Sequence, residues 1–152
     1  MQNLEMFKVA EIEIVYKRTE SVVEFPTSNC SKASADYFMK CWNMNTIDYA
    51  EQFKVLLLDS ALKPLGIVTI ATGGTQSVVV DVRLVFAAAL KANATSIIVA
   101  HNHPSGTLKA SDHDIRITDQ LRQAAQVLDV KFLDHLILTR KAYFSFADNG
   151  LL

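Results

Sequence analysis

The sequence lacks an excess of charge of either sign. Lysine and arginine together number 15 and aspartate and glutamate 16, which gives a formal net charge of −1 with histidine neutral. Non-specific binding of nucleic acid depends on clustered basic residues, so this balance gives no electrostatic support for DNA or RNA binding. Long apolar runs are also lacking, because none approaches the ~20 residues that a membrane-spanning helix needs. We therefore expect no membrane association.

Cysteine is scarce, and there is no C-x-x-C pair. We expect Cys30 and Cys41 to be reduced, partly buried thiols rather than a disulfide framework, a metal site or a redox pair. Residues 1–8 show no secretory signal pattern, which predicts a cytoplasmic protein. No internal repeat or low-complexity linker occurs, so we expect residues 1–152 to form a single domain.

What the sequence does contain is a globular composition, with 50% hydrophobic and 20% charged residues. Apolar periodicity predicts the element order β-α-β-β-α-β-α-β-β. This order favours an α/β fold in which helices cover the faces of a mixed sheet. The predicted strands are residues 9–17, 52–59, 65–72, 95–101, 130–139 and 141–147, and the predicted helices are residues 35–43 (capped by Ser34), 81–93 and 111–128.

A group of ionisable residues follows an apolar strand in the stretch "IIVAHNHPSGTLKASDHD", residues 97–114. Side chains alternate along a strand, so His101 and His103 are expected to point to the same side. Pro104 cannot donate to a sheet ladder and ends the strand. The two imidazoles should therefore lie together at the lip of the sheet, where open α/β folds carry their sites.

Ser111 and Asp114 stand three residues apart at the start of a predicted helix. Taken alone, S-x-x-D is typical of a helix cap. If the helix N-terminus folds over the strand end, Asp114 completes a set of two histidines and one carboxylate. Three such ligands with an open fourth position are the pattern of catalytic zinc, whose bound water has a pKa of about 7. The same set also suits the facial triad of a non-haem Fe(II) enzyme.

Glu51 is the candidate general base. A water nucleophile needs a group that takes its proton and returns it to the leaving group. Glu51 begins "EQFKVLLLD", a segment apolar enough to lie beside the histidine strand. An ordinary acidic residue at a strand start is the alternative interpretation.

Together these residues resemble the JAMM motif of the MPN-type zinc metalloproteases, H-x-H followed after seven residues by S-x-x-D, with a glutamate upstream. The segments "IIVAHNHPSG", "FLDHLILT" and "YFSFADNGLL" are closer still to the RadC-like JAB domain family, and the motif-bearing core covers about residues 26–150. The chain resembles a short form of that family without the N-terminal helix-hairpin-helix segment of longer RadC proteins. The resemblance implies a deaminase-like α-β-α sandwich, the MPN (JAB) fold.

The resemblance also implies a role for each motif residue. His101, His103 and Asp114 match the ligands of one zinc ion per chain. Glu51 matches the general acid/base, and Ser111 matches the residue that stabilises an oxyanion. The implied function is a zinc-dependent metallopeptidase or isopeptidase in which Glu51 activates a metal-bound water for attack on an amide carbonyl. The alternative is a non-catalytic protein- or DNA-associated module linked to DNA repair or recombination.

Other polar residues near the motif have competing interpretations. Asp134 and His135 interrupt a buried strand and need partners; a local structural hydrogen bond is favoured over orientation of a ligand histidine. Asn102 and Ser105 are expected to be turn residues that also help to hold the loop. The letters HNH do not indicate an HNH nuclease, whose residues are spread over a ββα unit. The predicted edge strand 141–147 allows pairing with a second copy in a homodimer.

Overall fold

Five strands and three helices build the computed structural model, which describes residues 26–74 and 77–152. In chain order they are α1 (Ser31–Cys41), β1 (Gln52–Leu58), β2 (Pro64–Thr72), α2 (Val82–Lys91), β3 (Ser96–Asn102), α3 (Asp112–Val127), β4 (Lys131–Leu138) and β5 (Tyr143–Ser145). From α1 onward this is the predicted order. The predicted strand 9–17 lies outside the described residues. None of the described helices is long and apolar enough to cross a membrane.

The sheet is mixed and has the strand order β2-β1-β3-β4-β5. Strand β1 forms an antiparallel hairpin with β2 and pairs antiparallel with β3 on its other side. Strands β3 and β4 are parallel, and β5 returns antiparallel along β4. The pairing of β1 with β3 sets Phe53 opposite His101, so the strand that follows Glu51 does run beside the histidine strand.

Helices cover both faces of the sheet, because side chains of successive strand residues point to opposite faces and both sets are apolar. The core under α2 and α3 includes Phe53, Val55, Leu57, Val85, Phe86, Ala89, Ile97, Val99, Ile117, Leu121 and Ala125. The core under α1 includes Ala35, Phe38, Trp42, Leu56, Leu58, Ile98, Ala100, Leu136 and Leu138. The predicted α/β fold, with a mixed sheet between helical layers, is confirmed.

The start of α1 differs from the prediction. Its N-cap is Cys30, whose Sγ accepts a hydrogen bond from the backbone N–H of Ala33 at 3.5 Å. Ser34 lies inside the helix, where its hydroxyl donates to the Cys30 carbonyl oxygen. Both Cys30 and Cys41 are free and exposed, so the prediction of partly buried thiols is wrong. The two cysteines lie at the ends of α1, whereas the middle of the helix packs on the sheet.

Candidate metal centre

Two histidine rings meet where β3 leaves the sheet. His101 lies in β3 and His103 follows its last residue, so both side chains lie on the side of the sheet that α3 covers. The backbone N–H of His103 donates to the carbonyl oxygen of Leu138, which keeps this segment alongside β4. The Nε2 atoms of the two rings are 2.9 Å apart. His101 is buried, while His103 is partly open to solvent.

The start of α3 adds a carboxylate to this pair. Ser111 is the N-cap, and its hydroxyl accepts from the Asp114 backbone N–H at 3.2 Å while Asp114 Oδ2 accepts from the Ser111 N–H at 2.7 Å. In this capping box, Asp114 Oδ1 lies 3.1 Å from His101 Nε2, and its Oδ2 lies 3.5 Å from His103 Nε2. The capping and ligand interpretations of S-x-x-D are therefore compatible in a single carboxylate.

The three side chains lie close enough together to hold one metal ion. Zinc held by nitrogen and oxygen at about 2.1 Å separates its ligand atoms by about 3.4 Å. His101 Nε2 lies 2.9 Å from His103 Nε2 and 3.1 Å from Asp114 Oδ1, while His103 Nε2 lies 3.5 Å from the other carboxylate oxygen, Oδ2. One ligand atom from each residue lies within 4.8 Å of the other two. His103 Nδ1 is 2.7 Å from the Thr107 carbonyl oxygen, which can only accept, so Nδ1 carries the proton of a neutral ring and Nε2 is bare. His101, His103 and Asp114 could therefore hold a metal ion.

The charges of this cluster suit a cation. Burial opposes ionisation of Asp114, but the neighbouring rings of His101 and His103 and the hydrogen bond from the Ser111 backbone N–H lower the pKa of its carboxyl far below the usual range. Burial lowers the pKa of His101, which keeps that ring neutral. At His103, burial is outweighed by Asp114, which raises the pKa. An anionic carboxylate beside imidazole nitrogens is the ligand state that metal binding requires, and binding there releases any proton held by His103.

Glu51 precedes β1 and lines a cleft of about 430 Å³ in front of the cluster. The cleft is lined by Glu51, Ser77, His103, Pro104, Ser105, Thr107, Lys109, Ser111, His113 and Asp114. Burial raises the pKa of Glu51 to about 7; Asp114 also raises it and His103 lowers it. A carboxyl that titrates near neutral pH can both take and return a proton. Four of the five predicted site residues thus line one cleft, and His101 is buried behind them.

Asn102 holds the segment that leads to Glu51. Its prediction as a turn residue is wrong, because it is the last residue of β3 and is fully buried. Its amide nitrogen donates to the carbonyl oxygens of Ile47 at 2.6 Å and Ala50 at 2.9 Å, and its Oδ1 accepts from the Gln52 N–H at 2.7 Å. These partners lie on both sides of Glu51 in the chain, so Asn102 helps to set the position of that residue, together with the backbone hydrogen bonds of Glu51 to Gly73 and Gly74.

A third imidazole lies behind His101. His135 of β4 is fully buried, and its Nε2 is 2.8 Å from His101 Nδ1. Its Nδ1 is 2.6 Å from the hydroxyl of Thr118 in α3. Burial lowers the pKa of His135 well below its usual value, so the ring is neutral. The local structural hydrogen bond that the sequence favoured is found at Asp134 instead, whose Oδ2 accepts from Ser145 Oγ at 2.6 Å.

Thr118 was not among the residues predicted from the sequence, although one signal points to it. It stands four residues after Asp114 and is buried on the inner face of α3 with Ile117 and Leu121. A buried hydroxyl needs a hydrogen-bond partner. Helical spacing predicts that Thr118 is buried and therefore needs a hydrogen-bond partner. It does not predict that this partner lies on a strand.

Comparison with known proteins assigns this fold and site to a family. The profile of the RadC-like JAB domain matches residues 28–151. The chain belongs to the RadC-like JAB domain family. The family resemblance predicted from the motif is confirmed, and the matched segment contains every predicted site residue.

Two curated relatives of the family illustrate the similarity. A UPF0758 protein of Flavobacterium johnsoniae is 46% identical over 101 residues, which cover 66% of this chain and 44% of the relative. A UPF0758 protein of Thermotoga maritima is 38% identical over 120 residues, which cover 79% of this chain and 54% of the relative. The chain thus spans about half the length of the curated relatives it matches.

Proposed function

We propose that this protein is a zinc-dependent hydrolase that cleaves amide bonds of the peptide or isopeptide type. The observation that carries the proposal is the convergence of Asp114, His101 and His103 on a common point beside a cleft that Glu51 also lines. When bound there, zinc would supply a Lewis acid and lower the pKa of a water to about 7. Three protein ligands leave a fourth position for water or substrate, as catalytic zinc sites do.

Glu51 is the general base and acid of this proposal. With a pKa of about 7 it can take a proton from the attacking water and give it to the leaving nitrogen. Both steps need the carboxyl to remain in one place, and Asn102, which donates to the Ala50 carbonyl and accepts from the Gln52 N–H, holds the backbone on either side of it. This support is the reason for assigning the role to Glu51 rather than to a mobile acidic side chain.

Ser111 is the oxyanion donor of the proposal. Its hydroxyl lines the cleft and donates to Asp114 Oδ2 at 2.7 Å. A hydroxyl has a single proton, so donation to a developing oxyanion requires that this bond to Asp114 is released. The backbone N–H of Ser111 also donates to Asp114 Oδ2, so the carboxylate keeps one capping bond when the hydroxyl turns away.

Metal content is the first test. Protein purified without chelator should contain about one zinc per chain, because the three ligands form one site. His103→Ala should lose that zinc, whereas Glu51→Gln should keep it, since Glu51 is not among the ligands. Wild-type protein that neither contains nor takes up zinc would contradict the proposal. Iron in protein purified without oxygen would indicate a non-haem Fe(II) site instead.

Turnover is the second test. A panel of quenched fluorescent peptides and isopeptide-linked peptides should include a substrate that zinc-loaded wild-type protein cleaves and that Glu51→Gln does not. Chelator should abolish cleavage and added zinc should restore it. A zinc-loaded protein that cleaves none of the panel, but captures a protein or DNA partner equally well as wild type and as Glu51→Gln, would favour the non-catalytic alternative.

A further inference from the structure

We propose that His135 is a positioning residue of the metal site. With Thr118, it fixes the tautomer and ring orientation of His101, so that His101 offers Nε2 to the metal. The role of His135 in metal binding rests on the proposed zinc site. Its hydrogen-bond directions are a property of the protein alone and can be tested without metal.

A backbone carbonyl sets the first direction in this chain of hydrogen bonds. Thr118 Oγ1 lies 2.6 Å from the carbonyl oxygen of Asp114, which can only accept. A hydroxyl has one proton, so Thr118 donates there and can only accept from His135 Nδ1, 2.6 Å away. His135 must therefore carry its proton on Nδ1.

The Nδ1 proton of His135 determines which nitrogen of His101 carries a proton. A neutral imidazole with a proton on Nδ1 has a bare Nε2, which makes His135 Nε2 an acceptor. It faces His101 Nδ1 at 2.8 Å, so His101 donates from Nδ1 and is bare at Nε2. This Nε2 is the atom that lies 3.1 Å from Asp114 Oδ1. The chain begins at the Asp114 carbonyl and ends beside the Asp114 carboxylate, which links the ligand geometry to α3 at both ends.

Packing holds the His135 ring in this orientation. The ring stacks on Phe146 with centroids 4.6 Å apart and planes 14° apart, and it meets Phe53 at 5.7 Å and 68°. Its exposed fraction is 0%, so removal of the ring leaves the His101 Nδ1–H without solvent to replace the acceptor. Metal-bound histidines usually donate their second nitrogen to a carboxylate, a carbonyl or water. A neutral imidazole in that place adds no charge beyond that of Asp114.

The first experiment determines the tautomers by nitrogen NMR of histidine-labelled, zinc-free wild-type protein at a pH where the rings are neutral. His135 and His101 should both be protonated at Nδ1 and bare at Nε2. His135 protonated at Nε2 would overturn the inference, because His101 would then have to accept at Nδ1. This result does not depend on whether the protein binds zinc.

The second experiment measures zinc affinity by competition with a chromophoric chelator. His135→Leu removes the acceptor and should weaken zinc binding by about 10–100-fold, the usual effect of losing such a partner. His135→Gln keeps an amide oxygen to accept from His101 and an NH₂ to donate to Thr118, and it should recover most of that affinity. Thr118→Val should weaken binding and Thr118→Ser should not, which tests the chain through a second residue if His135→Leu does not fold.

The control is Leu138→Ala, on the same strand in the core under α1. It should lower the melting temperature and leave zinc affinity unchanged. The inference is wrong if His135→Leu and Thr118→Val bind zinc as tightly as wild type, or if Leu138→Ala weakens binding as much as they do. Failure of wild type to bind zinc at all would instead contradict the proposed function, and the NMR result would still decide the hydrogen-bond directions.

Discussion

His101 and Asn102 are neighbours in β3, yet their side chains point to opposite faces of the sheet and each organises a different half of the site. His101 belongs to the metal half, with His103 and Asp114. Asn102 belongs to the base half, where its amide binds the backbone on both sides of Glu51. One strand end therefore serves both halves of the site.

The two halves are stabilised by different kinds of contact. The metal half depends on side chains of α3, β3 and β4 that bind one another, including Thr118 and His135. The base half depends on backbone contacts: Asn102 binds backbone groups on both sides of Glu51, and the Glu51 backbone itself pairs with Gly73 and Gly74. We therefore expect the metal half to be sensitive to several residue identities, and the base half to tolerate changes in the side chains before Glu51 but not at Asn102.

The largest expected effect comes from altering the metal half without removing a ligand. Ser111→Ala should lower turnover by about 10²–10³-fold, the usual cost of losing an oxyanion donor, while zinc is retained. Loss of the N-cap should also lower the free energy of unfolding by about 1 kcal/mol. Steady-state kinetics and urea denaturation measure the two effects. Ser105 lines the same cleft, so Ser105→Ala is the matched control and should keep its activity. Equal activity of the two variants would count against the role of Ser111.

A change in the base half should separate turnover from metal binding. Asn102→Leu removes the partner of three backbone groups, one buried and two partly buried, so the free energy of unfolding should fall by about 3 kcal/mol. Displacement of Glu51 by about 1 Å can lower turnover on the order of 10²-fold, whereas zinc affinity should not change.

A second variant tests the NH₂ group of Asn102 separately from its oxygen. Asn102→Asp keeps the size and the acceptor but cannot donate to the carbonyl oxygens of Ile47 and Ala50. It should be no more stable than Asn102→Leu at neutral pH. Loss of zinc in either variant would show that the two halves are not independent.

The smallest effect is a pH dependence of the metal half in zinc-free protein. Because burial lowers the pKa of His135, the unfolded chain binds a proton below about pH 6.5 that the folded protein does not. This contribution to stability is complete above about pH 6.5 and declines as the pH falls, by at most about 1.4 kcal/mol per pH unit.

Urea denaturation of wild type and His135→Gln at about pH 7, 6 and 5 isolates that contribution. The free energy of unfolding should fall less steeply in His135→Gln, since groups common to both proteins largely cancel in the difference. Parallel curves for the two proteins would show that His135 does not take up the proton on unfolding.

Much of the architecture could be predicted from local patterns. Period-two and helical spacings predict the elements from α1 to β5 in order, and H-x-H with S-x-x-D predicts where the polar cluster lies. These predictions work because alternation along a strand and capping at a helix start depend on neighbouring residues. The first cap was missed because Cys30 performs the role usually taken by serine.

The supporting residues could not be predicted in this way. Asn102 looks like part of a turn because a proline follows two residues later, but β3 continues through it and buries it. His135 and Thr118 meet only because β3 and β4 pair in parallel and α3 packs over both. Such pairings bring together residues far apart in the chain, and periodicity carries no information about them.

The sequence by itself determined the family, the order of the described elements and the residues that form the motif, because each depends on short-range spacing. Only the tertiary structure decided that Glu51 enters the same cleft as Asp114, that Asn102 holds it there and that His135 stands behind His101. The physical reason is that a buried polar group must find its partner wherever the packed chain supplies one. In this fold those partners lie on other strands and helices.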